Sequence, residues 1–176
     1  MRTYPTQSEL RSLFDYDPET GIMLSRVDRG RIKAGTRAGY VDYQGYRSIK
    51  IRGRKYVFSH VVWAYVTGAW PVDEMDHINL KRDDDRLVNL REANREQNCA
   101  NKGAFYKENS YGFRGVKKAG TKFVAVIGAG QKDRYIGRYN TAERAALAYD
   151  VAAKKIHGEF ARFNFPEKTH RDWLIV

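Results

Sequence analysis

Met75–Asn98, MDHINLKRDDDRLVNLREANREQN, sets the reading of the whole chain. Asp76 and His77 are adjacent, and on an extended strand neighbouring side chains leave opposite faces, one placed to hold a cation and the other to face a water. A polar loop follows, Asn89 stands just before a short apolar piece at Leu90, and the helix-compatible run Ala93–Ala100 carries Asn98. The expected order is strand, loop, strand, helix. Three consecutive carboxylates in a loop do not all converge on one ion, so Asp83-Asp84-Asp85 reads as a solvated turn.

These residue types suit phosphodiester hydrolysis, which needs a water deprotonated near neutral pH, charge compensation at the phosphate and help for the departing oxygen. Histidine titrates in the right range for the first task. A hard divalent cation held by carboxylate and amide oxygens suits the other two, because it keeps positions open for phosphate and water. A lone Asp-His dipeptide is a weak signal. The joint pattern is stronger: Asn89-Leu90 falls twelve positions after His77 and Asn98 nine further on. The plainer alternatives are that Asn89 turns the chain and Asn98 is a surface helix residue.

The segment Tyr56–Asn98 resembles the HNH nuclease motif of phage and intron-encoded homing endonucleases, the ββα-metal fold. The resemblance implies that Asp76 and Asn98 bind the metal, that His77 is the general base and that Asn89 holds the histidine's orientation. Mg²⁺ is the expected ion, with Mn²⁺ as the alternative. His60 aligns with a histidine that the family carries in a His-Arg pair, but Val61 stands in the arginine's place here, and the role of His60 stays open.

The composition agrees with a polyanionic partner. In 176 residues the formal net charge is +11, with 12 tyrosines among the aromatics, which favours nucleic acid over simple membrane attraction. No apolar run is long enough to span a bilayer and the N-terminus lacks a signal-peptide layout, so a cytoplasmic protein is expected. Cys99 is the single cysteine, which excludes an internal disulfide or a cysteine-rich zinc site, and it reads as a small buried helix residue.

Upstream of the motif, Thr6 and Glu9 form a capping box for a short helix with Leu10, Leu13 and Phe14 on one face, and Tyr16–Gly21 reads as the turn that ends it. Ile22–Ser25 reads as a strand, and the basic run 26–37 as an arm along phosphates or a solvated loop. Gly39–Phe58 is a β-region with turns at Gln44-Gly45 and Arg52-Gly53, in which Tyr46, Ser48 and Lys50 alternate with Arg47, Ile49 and Ile51. Arg47, Lys50 and Arg54 among tyrosines are candidates for DNA contact on that ribbon, the bland alternative being a charged sheet face beside water. Ser59–Thr67 reads as a helix capped by Ser59 and stopped by Gly68, with Trp63 and Trp70 as core anchors.

A polar boundary at Asn101–Ser110 precedes a second pattern. Tyr111–Val116, Lys122–Ile127 and Arg134–Tyr139 read as three short strands with glycine turns. A helix follows from Thr141, with Ala145, Ala148, Tyr149, Ala152 and Ile156 on one face. This stretch resembles an AP2 DNA-binding domain, matching FRGV, KFVA, YIG, TAERAALAYDVAA, HGEFA and NFP in order. The resemblance implies that the sheet enters the major groove, with Arg114, Lys117, Phe123 and Tyr135 at contacting positions and Tyr149 touching phosphate. Lys122 and Arg134 add to the basic sheet. Plant members carry Glu and Arg where this chain has Val126 and Gly128, so their target sequence does not transfer.

The expected protein is therefore α+β. Residues 1–104 would form an HNH ββα-metal nuclease domain with an N-terminal β-region, and 105–176 an AP2-like three-stranded antiparallel sheet packed on one helix. The expected function is a site-directed, homing-type endonuclease from a phage or mobile element. It would nick or cut double-stranded DNA as a monomer with a divalent metal, without a small-molecule cofactor or a membrane. The alternative is a DNA-binding transcriptional regulator with a decayed nuclease module; RNA binding is weaker because no stacking motif of RNA modules is present.

Overall fold

A computed structural model of the chain describes residues 4–102, 112–129 and 132–167. It is a mixed α/β structure with small antiparallel sheets, and it divides into two compact units between Asn94 and Arg95. Among the described residues no helix is long and apolar enough to cross a membrane. Most of the polar boundary expected at Asn101–Ser110, together with Tyr111, lies outside the described residues.

In the first unit, α1 (Gln7–Leu13) starts at the expected capping box, where Thr6 Oγ1 accepts from the Glu9 N–H and the Glu9 carboxylate accepts from the Thr6 N–H. The chain then enters β1 (Phe14–Asp17), which pairs antiparallel with β2 (Ile22–Ser25). Tyr16 and Asp17 are thus strand residues, and only the residues after them form the turn. A three-stranded sheet of β3 (Tyr40–Val41), β4 (Arg47–Ile51) and β5 (Arg54–Val57), with β4 central, turns at the expected places. Helix α2 (Phe58–Thr67) follows directly and ends at Gly68. Its N-cap is Val57, which makes no side-chain cap, and Ser59 is buried inside the helix instead of capping it. Leu10, Phe14, Met23, Ile49, Ile51, Phe58, Val61 and Val62 form one apolar core, with Trp63 and Trp70 packed against it.

Strand β6 (Glu74–His77) pairs antiparallel with β7 (Leu90–Ala93) and reaches the same core through Met75 and Leu90. Between them lies the loop 78–89, which closes in a 3₁₀ turn at Leu87–Asn89. Helix α3 (Arg95–Asn101) follows in sequence, on the second unit's side of the division. The expected order of strand, loop, strand and helix is present.

The second unit carries an antiparallel sheet in which β9 (Lys122–Ala129) lies between β8 (Val116–Ala119) and β10 (Lys132–Tyr139). Strand β8 starts later than its sequence indicates, because Gly115 turns with φ +71° just before it. That glycine is required twice over: a Cβ there would run into the Tyr149 ring and stand 2.6 Å from the Val126 carbonyl oxygen. Helix α4 (Ala142–His157) packs on all three strands and is capped by Thr141 as expected. Its alanines at 145, 146 and 148 let it lie close to Val116 and Ala125, whereas Ile156 is largely exposed.

Behind the helix the chain returns past the sheet. The buried Asp150 carboxylate accepts the Asn164 and Phe165 N–H groups at 2.8 and 2.9 Å. The Asn164 side chain in turn grips Arg114 by both main-chain groups, Oδ1 accepting its N–H at 2.6 Å and Nδ2 donating to its carbonyl at 3.1 Å. Burial raises the Asp150 carboxyl above its ordinary value, against the pull of these hydrogen bonds.

Candidate functional site

The β6–β7 hairpin brings Asp76, His77 and Asn89 together, all buried. Asp76 stands across the ladder from Arg91, whose Nε and Nη2 both donate to Asp76 Oδ2, at 2.9 and 2.8 Å. His77 leaves the other face, and its Nε2 lies 3.3 Å from Asp85 Oδ1. Tyr46 packs beside the imidazole at a centroid distance of 6.1 Å, with the Arg82 guanidinium over its ring.

Asn89 organises the loop. Its Oδ1 accepts the Asn79 N–H at 2.9 Å, its Nδ2 donates to the Asp84 carbonyl at 2.8 Å, and its own carbonyl accepts the Ile78 N–H. The two ends of the loop after His77 are thereby tied together. A side chain with a carbonyl and an amino group is needed for this, since one end offers a donor and the other an acceptor.

The acidic triplet is not the solvated turn that its sequence indicates. Only Asp83 is exposed. Asp84 receives Arg86 Nε and Nη2 at 2.7 and 2.6 Å, and this pair holds its carboxyl well below the usual range, helped by Asn79. Asp85 turns inward, with its side chain 2% exposed, and faces His77 on one oxygen and Arg47 on the other, the latter at 3.5 Å. The turn is held from far away in sequence. Tyr16 Oη donates to the Asp85 carbonyl and accepts the Leu87 N–H, both at 2.9 Å, and Gly21 lies so close that a Cβ would stand 2.7 Å from the Arg86 nitrogen. Burial pushes the Tyr16 phenol up to about 12, with the neighbouring carboxylates of Asp85, Asp17 and Asp84 acting in the same direction, so it stays a neutral donor.

Arg47 is accordingly not a DNA contact on an open ribbon. It is buried against Asp85 and over the Phe58 ring, and the three residues Arg47, Ser48 and Ile49 are all buried where a wet and a dry face were expected to alternate. Lys50 and Arg54 of the same sheet are exposed. His60 is half-buried in α2, where burial lowers its imidazole below the ordinary value. Asn98 is half-buried on α3 in the second unit, and its neighbour Cys99 is exposed, not buried as expected.

For a divalent ion, the first unit offers the Asp76 carboxylate, a hard oxygen donor, while Asn98 belongs to the second unit. No group of three or more His, Cys, Asp or Glu side chains among the described residues forms a ready-made cage. A carboxylate oxygen is the donor type that hard ions such as Mg²⁺ or Mn²⁺ accept, and these keep several waters or phosphate oxygens of their own. Asp76 is paired with Arg91, while His77 Nε2 faces Asp85.

In the second unit the register collects an outward face. Lys117 pairs with Val124 and Arg138 pairs with the same residue from the other side, while Tyr135 stands opposite Val126. A bulge between Tyr135 and Gly137 brings Tyr135 and Arg138 to one side. Lys122 belongs to this face by alternation, and Lys117 also pairs with Asp133 at 2.9 Å. Arg134 is exposed but stands opposite Ile127, on the side of α4. Three expected contacts are otherwise engaged. Tyr149 is buried against Gly115, Phe123 packs on the helix-facing core, and the Arg114 guanidinium donates to the Lys102 and Cys99 carbonyls at 2.7 and 3.5 Å.

Residues 56–100 match the HNH endonuclease family model. The matched segment contains Asp76, His77, Asp85, Asn89, Arg91 and Asn98, so the hairpin just described lies wholly inside it. The chain is also similar to plant transcription factors. It is 44% identical over 62 residues to dehydration-responsive element-binding protein 2C of Arabidopsis thaliana, covering 34% of this chain and 18% of that protein. It is 30% identical over 146 residues to the AP2-like ethylene-responsive transcription factor CRL5 of Oryza sativa subsp. japonica, covering 77% of this chain and 20% of that one. Ethylene-responsive transcription factor ERF070 of Arabidopsis thaliana is 42% identical over 74 residues, covering 36% of this chain and 46% of its own. The chain thus spans less than half the length of each of these relatives.

Proposed function

We propose that the chain is a site-directed endonuclease that hydrolyses phosphodiester bonds in double-stranded DNA with a divalent metal. The observation that supports this best is the buried hairpin inside the HNH-matched segment, where the adjacent Asp76 and His77 are each held by a charged partner at opposite faces. Buried charge of this kind is a poor route to stability, which leaves chemistry as its better explanation.

His77, with Nε2 engaged, takes a proton from the attacking water at Nδ1. The water oxygen bonds to phosphorus as the bond to the departing sugar oxygen breaks, and that oxygen takes a proton from solvent water. Asp76 and Asn98 are the oxygen donors assigned to the ion, Mg²⁺ or alternatively Mn²⁺, which when bound supplies charge compensation at the phosphate and leaving oxygen. Asn89 keeps the loop behind His77 closed, and Lys50 and Arg54 lie free for phosphate contact. Residues 1–104 carry the chemistry, while 105–176 read DNA through Lys117, Lys122, Arg138 and Tyr135, raising the concentration of the active site near its target. That division of labour suits a homing enzyme of a mobile element. A second reading, a DNA-binding transcriptional regulator, draws on the relatives named above.

Cleavage separates the two. Supercoiled plasmid and genomic DNA incubated with Mg²⁺, Mn²⁺ or chelator should be nicked or linearised only with metal, and His77→Ala should slow this about 10²- to 10⁴-fold. Tight binding without cutting in either metal would put the regulator first.

A further inference from the structure

We propose that Asp85 is the positioning residue of the active site: it accepts the Nε2–H of His77, fixing the tautomer and ring orientation, and is itself backed by Arg47. The proposal deepens the nuclease reading and rests on His77 as the base.

Three observations carry it. Asp85 Oδ1 is 3.3 Å from His77 Nε2 in an almost dry setting, the two side chains being 2% and 6% exposed. An acceptor that is only an acceptor, set at Nε2, holds the ring proton there and leaves the lone pair on Nδ1. Second, the loop is built to deliver this carboxylate. Tyr16, Gly21, Asn89 and the Asp84–Arg86 pair all fix the backbone around Asp85. Third, the fit is poor as a purely structural ion pair. Among the described residues, Asp85 Oδ2 is buried without a hydrogen bond, and the Arg47 Nε stands 3.5 Å away. A carboxylate retained inside at that disadvantage is expected where its other oxygen has a task. The loop offers Asp83 and Asp84 to solvent and to Arg86 but commits Asp85 to the imidazole.

Asp85→Asn is the informative variant. It keeps the size of the side chain, but with its amide oxygen turned to the Arg47 donor its NH₂ faces His77 and moves the ring's lone pair to Nε2. Single-turnover plasmid cleavage in Mg²⁺ should fall about 10²- to 10⁴-fold, as when a triad aspartate is changed to asparagine. Plasmid binding should stay within about twofold, since phosphate contacts set affinity. In a His77→Ala background the same change should cost less than about threefold further, because a residue that acts through the imidazole has nothing left to act on. Should Asp85→Asn unfold the protein by stranding Arg47, the neutral pair Arg47→Gln with Asp85→Asn carries the same comparison. A folded Asp85 variant that cleaves within about threefold of wild type, or that loses the same factor with and without His77, overturns the proposal. Full cleavage by His77→Ala would instead overturn the assignment of the base, and is read separately in the same gel.

Discussion

The first unit draws Arg47, Asp76, His77, Asp85 and Arg91 into and around a buried hairpin, whereas the second leaves Lys117, Lys122, Arg134 and Arg138 on exposed strands and buries one carboxylate, Asp150, under main-chain donors. Both sets are charged residues on antiparallel strands, yet they are used in opposite ways. Inside, each charge is fixed by a partner, an arrangement that suits the proton transfer proposed above. Outside, the charges stay hydrated, and where one is paired, as Lys117 is with Asp133, the pair is open to water. The HNH match covers 56–100 and so contains the buried hairpin.

The comparison can be tested at three depths. Arg91→Ala strips the guanidinium from a carboxylate that is 3% exposed, and should destabilise the first unit by about 3 kcal/mol or more in calorimetric unfolding. A much smaller cost would mean that this hairpin is wetter than its burial indicates. Asp150→Ala should be milder. It removes the acceptor of the Asn164 and Phe165 N–H groups and should cost about 1–3 kcal/mol in the second unit's transition. It should also change the pH response. Because burial raises the folded Asp150 above 3.8, its contribution is fully present below that pH and is lost as pH rises through the raised value. The variant should lack that slope, and an identical slope would place it elsewhere. Smallest of all, Lys117→Ala should leave unfolding unmoved, because its pair with Asp133 is open to water. DNA affinity should drop a few-fold uniformly across sequences, and the salt dependence should lose about one ion. A change confined to one DNA sequence would make Lys117 a base reader instead.

What the sequence discloses here is mostly what is local. Thr6 with Glu9, the turns at Gly45 and Gly53, and Thr141 before an alanine-rich helix each act within a few residues, and each structure forms as read. The adjacent Asp76 and His77 are legible for the same reason. Asp85 is not, because what turns it inward is Tyr16, 69 residues away, and the close approach of Gly21. Arg47 follows from Asp85: a strand residue expected to be wet is buried because its counter-charge is already inside. Tyr149 likewise goes inward because Gly115 leaves room for its ring, a fit between two distant positions that periodicity does not register. A signal existed for Arg91, since strands of equal length flanking one loop set it opposite Asp76.

The Asn164 clamp on Arg114 has a consequence for how such a chain is assembled over generations. It brings the start of the sheet and the segment beyond the helix to a single point, so the sheet-and-helix fold closes on itself there. A segment closed in this way is a portable cassette. Its surroundings need to accommodate only one point of attachment, whatever chain carries it.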